Sequence, residues 1–113
     1  MKLQLTEDRT IELVCEWTQN HKYYDPGAWV LVSGKRDFGH ITTADHPQTD
    51  DESSNTYKKR ISAPFRAHAN YRTWDDCDCF GCGAFASLQE AQASVEGYVR
   101  KYFERHLQGC QFG

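Results

Sequence analysis

A chain of 113 residues and 13.0 kDa has room for one domain, and a domain of that size buries roughly 65% of the surface its unfolded form exposes. Aromatic residues at 13% exclude a disordered chain, because their rings supply burial that a solvated polymer lacks, and no apolar run approaches the roughly 20 residues of a membrane span. Thirteen Lys and Arg against sixteen Asp and Glu leave a formal charge of −3, which argues against binding of duplex nucleic acid by the surface as a whole.

The first eight residues, Met1 to Asp8, contain no apolar h-region, so no leader is expected and the chain reads as soluble and cytoplasmic. Ile11, Leu13, Cys15 and Trp17 alternate with Glu12 and Glu16 and predict a half-buried strand over about 10–18; a helix opening at Thr6 competes with it. Asp25-Pro26-Gly27 signals a turn. The β-prone run Ala28–Val32 predicts a strand that returns through a hairpin at Ser33-Gly34-Lys35-Arg36 into Phe38–Thr42. Residues from about 44 to 56 are polar, acidic and rich in Ser and Thr, and predict a loop. Tyr57–Ile61 reads as a further strand, broken at Pro64.

From Phe65 the alternation is clean. Phe65, Ala67, Ala69 and Tyr71 share one face, with Arg66, His68, Asn70 and Arg72 on the other. A cysteine loop at 75–82 and a short Gly83-Ala84-Phe85 segment lead into Ser87-Leu88-Gln89-Glu90, a capping box. Leu88, Ala91, Val95, Tyr98, Val99, Tyr102 and Phe103 then recur at helical spacing, which predicts a helix over about 88–107. Gly97 inside it suggests a close crossing over the sheet. The predicted fold is α+β: one domain over 1–113, an antiparallel sheet of about four to five strands with one long C-terminal helix packed across it.

Three features carry chemistry. Cys77, Cys79 and Cys82 form C-x-C-x-x-C, and thiolates so spaced in a loop could converge on a zinc ion. The fourth ligand would be His40 or His46, a local carboxylate (Asp75, Asp76 or Asp78), or none. Cys110 is a poor candidate, because a twenty-residue helix carries it about 30 Å away. The simpler reading is a reduced, polar loop, so no cofactor is expected, with zinc as the possible exception. Second, Arg66, His68, Asn70 and Arg72 lie about 6.6 Å apart along one strand face. They form a strip that Lys58, Lys59 and Arg60 could extend, suited to phosphates or an acidic protein surface; the simpler reading is a solvated strand face. Third, Asp45, Asp50, Asp51 and Glu52 stand together with no Lys or Arg among residues 45–52. They form a solvated loop, or one that steers a basic partner. No nucleophile elbow, phosphate loop, zinc-protease motif or dinucleotide fingerprint is present, and no enzyme is expected.

With its hairpin, polar loop and Gly83-Ala84-Phe85-Ala86-Ser87-Leu88-Gln89-Glu90-Ala91 junction, the chain over about 28–105 resembles short accessory proteins of phages and mobile elements. Anti-CRISPR proteins are one such group. That resemblance implies a non-enzymatic inhibitor that occupies the surface of a bacterial defence complex; it assigns no residues, and the cysteine loop departs from it. The expected partner is therefore a protein, contacted through Asp45, Asp50, Asp51 and Glu52 or through Arg66, His68, Asn70 and Arg72. The alternative is a small zinc-stabilised nucleic-acid-binding module, placed second by the net acidity. A thiol enzyme with one acidified cysteine is the third reading.

Overall fold

The computed structural model describes residues 1–4, 6–72 and 77–109, with the backbone alone at 70–72, 77–80 and 106–109. Strands β1 (Lys2–Gln4) and β2 (Thr10–Glu12) pair with each other. Strands β3 (Glu16–Thr18), β4 (Trp29–Ser33), β5 (Arg36–Thr43), β6 (Phe65–Arg72) and β7 (Cys77–Phe85) form a five-stranded antiparallel sheet in chain order. Helix α1 (Ser54–Ser62) interrupts this meander between β5 and β6, and α2 (Leu88–Gly109) packs across one face of the sheet. The fold is α+β.

The core lies between α2 and that face. Leu31, Ile41 and Ala67 from the sheet meet Ala91, Val95 and Val99 from the helix, all essentially inaccessible to water. Trp17, Trp29, Phe65, Phe85, Leu88 and Phe103 pack around them. Full burial of a Val, Leu or Ile side chain contributes about 1.5–3 kcal/mol, so this small set holds the two layers together. The helix starts where the capping box places it: the Glu90 amide donates to the Ser87 hydroxyl at 3.2 Å. Within the predicted stripe Tyr98 instead faces water.

The hairpin between β4 and β5 turns through Gly34 at φ +61°, the left-handed first position that a type II′ turn requires. The close crossing of helix over sheet occurs at Gly39 rather than at Gly97. A Cβ at Gly39 would lie 2.4 Å from Val95 Cγ1 and 2.8 Å from the His68 carbonyl oxygen, whereas at Gly97 it would meet no described atom within 4 Å. Glycine inside a strand marks such an approach; here it lets Val95 reach the backbone of the sheet.

Several expectations are corrected. The alternation over 10–18 does not build one strand: β2 pairs with β1, and the chain crosses through 13–15 to begin β3 in the other sheet. Residues 6–9 form a turn, with the Thr6 and Arg9 amides each donating to the other's carbonyl, rather than the start of a helix. Tyr57–Ile61 is helical. Ser53, extended at φ −68° and ψ 156°, accepts from the Thr56 amide as N-cap, and such a cap outweighs the β preference of Tyr57 and Ile61. Pro64, read as a break in a strand, follows the C-cap Ala63 and bars further helix. The predicted cysteine loop is in its described part the strand β7.

Candidate functional site

Residues 44–64 leave the sheet between β5 and β6 and return to it as a closed lobe, its neck tied by the Ala44 amide donating to the Pro64 carbonyl at 2.8 Å. Arg60 organises the interior. Its Nε and Nη2 grip the Glu52 carboxylate at 2.8 and 2.7 Å. Nη1 donates to the Ala44 and His46 carbonyls at 2.9 and 2.7 Å, and Nη2 also to that of Pro47 at 3.3 Å. A guanidinium has five N–H donors in a fixed fork, and these five bonds employ all of them. The Tyr57 ring lies 5.2 Å from the guanidinium carbon. Arg60 and Glu52 form a two-pronged pair with side-chain exposures of 4% and 12%.

The electrostatics follow from that pair. The guanidinium, first by hydrogen bonding, holds the Glu52 carboxyl below its ordinary value, and Glu52 raises Arg60 in return. Glu52 is therefore an internal member of the lobe, apart from the acidic surface to which the sequence assigned it. Asp45, Asp50 and Asp51 are exposed as expected. The Glu52 amide donates to the Thr49 carbonyl at 3.1 Å and Gln48 Nε2 to the Glu52 carbonyl at 2.9 Å, so the segment bearing these aspartates has a fixed course.

Of the cationic strip, Arg66 is exposed and His68 is half-buried; the side chains of Asn70 and Arg72 lie outside the described residues. Lys58, Lys59 and Arg60 do not extend it, because they belong to α1 and Arg60 is turned into the lobe. His68 pairs across the strands with His40, and their rings stack 4.9 Å apart at 14°. Tyr24, from segment 19–28, lies against His40 at 5.0 Å, with His21 edge-on to Tyr24 at 5.1 Å. The Tyr24 hydroxyl donates to Asp37 Oδ2. This cluster occupies the face of the sheet opposite α2, since the neighbouring Ile41 points into the core. Burial, and then His68, push the His40 imidazole below its ordinary value against the opposing pull of Asp37; its Nδ1 is buried without a partner.

Cys82 is the extra residue of a bulge in β7, between Gly81 opposite His68 and Gly83 opposite Ala67, and it packs against the helix-side core. His40 faces the other side of the sheet, and His46 is an exposed residue of the lobe; neither is brought to Cys82. The side chains of Cys77, Cys79 and Asp78, and residues Asp75 and Asp76, lie outside the described residues. Among the described residues no group of three His, Cys, Asp or Glu is placed to hold a metal ion, and no helix is long and apolar enough to cross a membrane. Burial pushes the Cys15 thiol above its ordinary value, away from the thiolate that a nucleophile requires.

Sequence reasoning missed Arg60 as an organiser, and it missed Tyr24, His21 and Asp37. The Ser53–Thr56 cap cluster was a signal for α1; the face-to-face meeting of His40 and His68 depends on strand register, which no local pattern encodes. No family model, curated protein or solved structure matches the chain.

Proposed function

We propose that the chain is a non-enzymatic protein-interaction module that presents the exposed aspartates of the 44–64 lobe to a basic surface of a protein partner. In keeping with the anti-CRISPR resemblance, that partner is a bacterial defence complex, blocked by occupation of a surface it needs. The observation that carries this reading is the five-bond Arg60 knot, which ties α1 to residues 44–52 while leaving Asp45, Asp50 and Asp51 in water. A loop ordered before binding loses less conformational freedom on association, and clustered like charge steers the encounter with an opposite surface.

The test is plasmid interference in bacteria carrying representative CRISPR effector complexes, with and without the chain. Relief of interference by the wild type, lost in the folded double reversal Asp50→Lys/Asp51→Lys and kept in Arg66→Glu, is the expected pattern. Relief that is equal in wild type and double reversal would remove the lobe from the interface, and no relief against any complex would remove the defence complex as partner.

A further inference from the structure

The face of the sheet opposite α2 carries a feature independent of the lobe. Three of the five histidines of the chain meet there with Tyr24 and Asp37, and His40 and His68 are direct cross-strand partners whose rings stack 4.9 Å apart. Same-face partners in antiparallel strands are held close by the backbone, and like charges placed opposite one another are destabilising. We propose that the His40–His68 stack is an acid-sensitive latch: with the His40 ring neutral it receives Tyr24 and keeps segment 19–28 closed over the sheet, and proton uptake at His40 releases that segment.

The surroundings set the direction. On β5 itself Asp37 favours a charged imidazole, but it also accepts the Tyr24 hydroxyl proton. Segment 19–28 contributes Tyr24 and His21. Arg66 stands two residues from His68 along β6 and, by strand alternation, on the same face. Val30 of β4, opposite His40, and Gly81 of β7, opposite His68, bring nothing ionisable. Among the described residues a single carboxylate thus faces three imidazoles and a guanidinium. A second positive ring in the stack is opposed, and a charged His40 competes with Tyr24 for Asp37.

Burial lowers His40 in the closed form, so the open form binds more protons at mildly acid pH. The stability of the closed segment is complete above the ordinary imidazole range and declines as pH falls through it. Within segment 19–28 the Tyr24 amide donates to the His21 carbonyl at 3.2 Å and the Ala28 amide to the Asp25 carbonyl at 3.1 Å, and the protection of both amides depends on the closed segment. The helix-side cluster around Val95 lies on the other face of the sheet, while the buried Val30, opposite His40, shares the face of the latch.

The experiment is NMR on the full chain from pH 8 to pH 5, following the imidazoles and the amide exchange of Tyr24 and Ala28 corrected for the intrinsic pH dependence. Opening linked to one proton lowers protection by up to about tenfold per pH unit, while amides of α2 near Val95 hold theirs. In His68→Gln the His40 midpoint rises and the slope of protection with pH flattens. Corrected protection of segment 19–28 that is independent of pH in the wild type overturns the latch, whether or not the variant folds. So does a His68→Gln protein in which both the His40 midpoint and the slope match the wild type.

Discussion

The helix-covered face of the sheet and the 44–64 lobe are neighbours in the chain, yet they are held by opposite means. On the face, order comes from apolar contact: Ile41, Val95 and Val99 exclude water, and Gly39 removes a side chain so that Val95 can reach the strand. In the lobe the only buried charged residue among those described, Arg60, replaces a core with five hydrogen bonds. Contact of the first kind is non-directional and tolerates polar change at its margin. Hydrogen bonding of the second kind is directional, and loss of one partner leaves the others unsatisfied. The second kind holds the lobe together while leaving Asp45, Asp50 and Asp51 in water, as the proposed binding surface requires.

The largest expected effect on global stability is at the helix–sheet crossing. Gly39→Ala places a methyl group against the branched, fully buried Val95 and against a backbone carbonyl, and such overpacking costs about 1–3 kcal/mol, read as a lower denaturant midpoint. The same substitution at Gly97 has the opposite sign. With open space around it and a helix interior to satisfy, Gly97→Ala stabilises by about 0.5–1 kcal/mol. Destabilisation at both positions would place the close approach on the helix after all.

Arg60→Met moves the global midpoint least and the lobe most. Proteolytic cleavage within 44–53 rises by about an order of magnitude or more, as expected when a loop loses its fixed state, while α2 amides keep their protection. Acid acts on the same pair. Because Arg60 lowers Glu52 in the folded protein, the stabilisation is complete above the ordinary carboxylate range and is lost as pH falls through the depressed Glu52 value. Protection of the Glu52 amide in an acid titration reports it, and in Arg60→Met that protection is already low near neutrality.

What was legible in the sequence divides along the same line. Periodic apolar residues exposed α2, and the β-prone run before Gly34 exposed the β4–β5 hairpin, since local pattern and burial agree there. Alternation from Phe65 placed Ala67 and Ala69 in the core, where both lie. The same alternation misled over 10–18, because it persists while the chain passes from one sheet to another. Tyr57 and Ile61 suggested a strand where a serine cap decides for helix. Arg60 read as one more surface cation, because the carbonyls it gathers lie 13 to 16 residues back along the chain. The exposed aspartates were legible; the knot that holds them was not.

The most direct test of the central claim is solution binding of the full chain to purified CRISPR effector complexes at two ionic strengths, with wild type, Asp50→Lys/Asp51→Lys and Arg60→Met compared. Binding that weakens with salt, is lost on charge reversal and is reduced by Arg60→Met is the predicted result, since the aspartates supply the attraction and Arg60 their placement. Binding that is indifferent to salt and unchanged in both variants would contradict it.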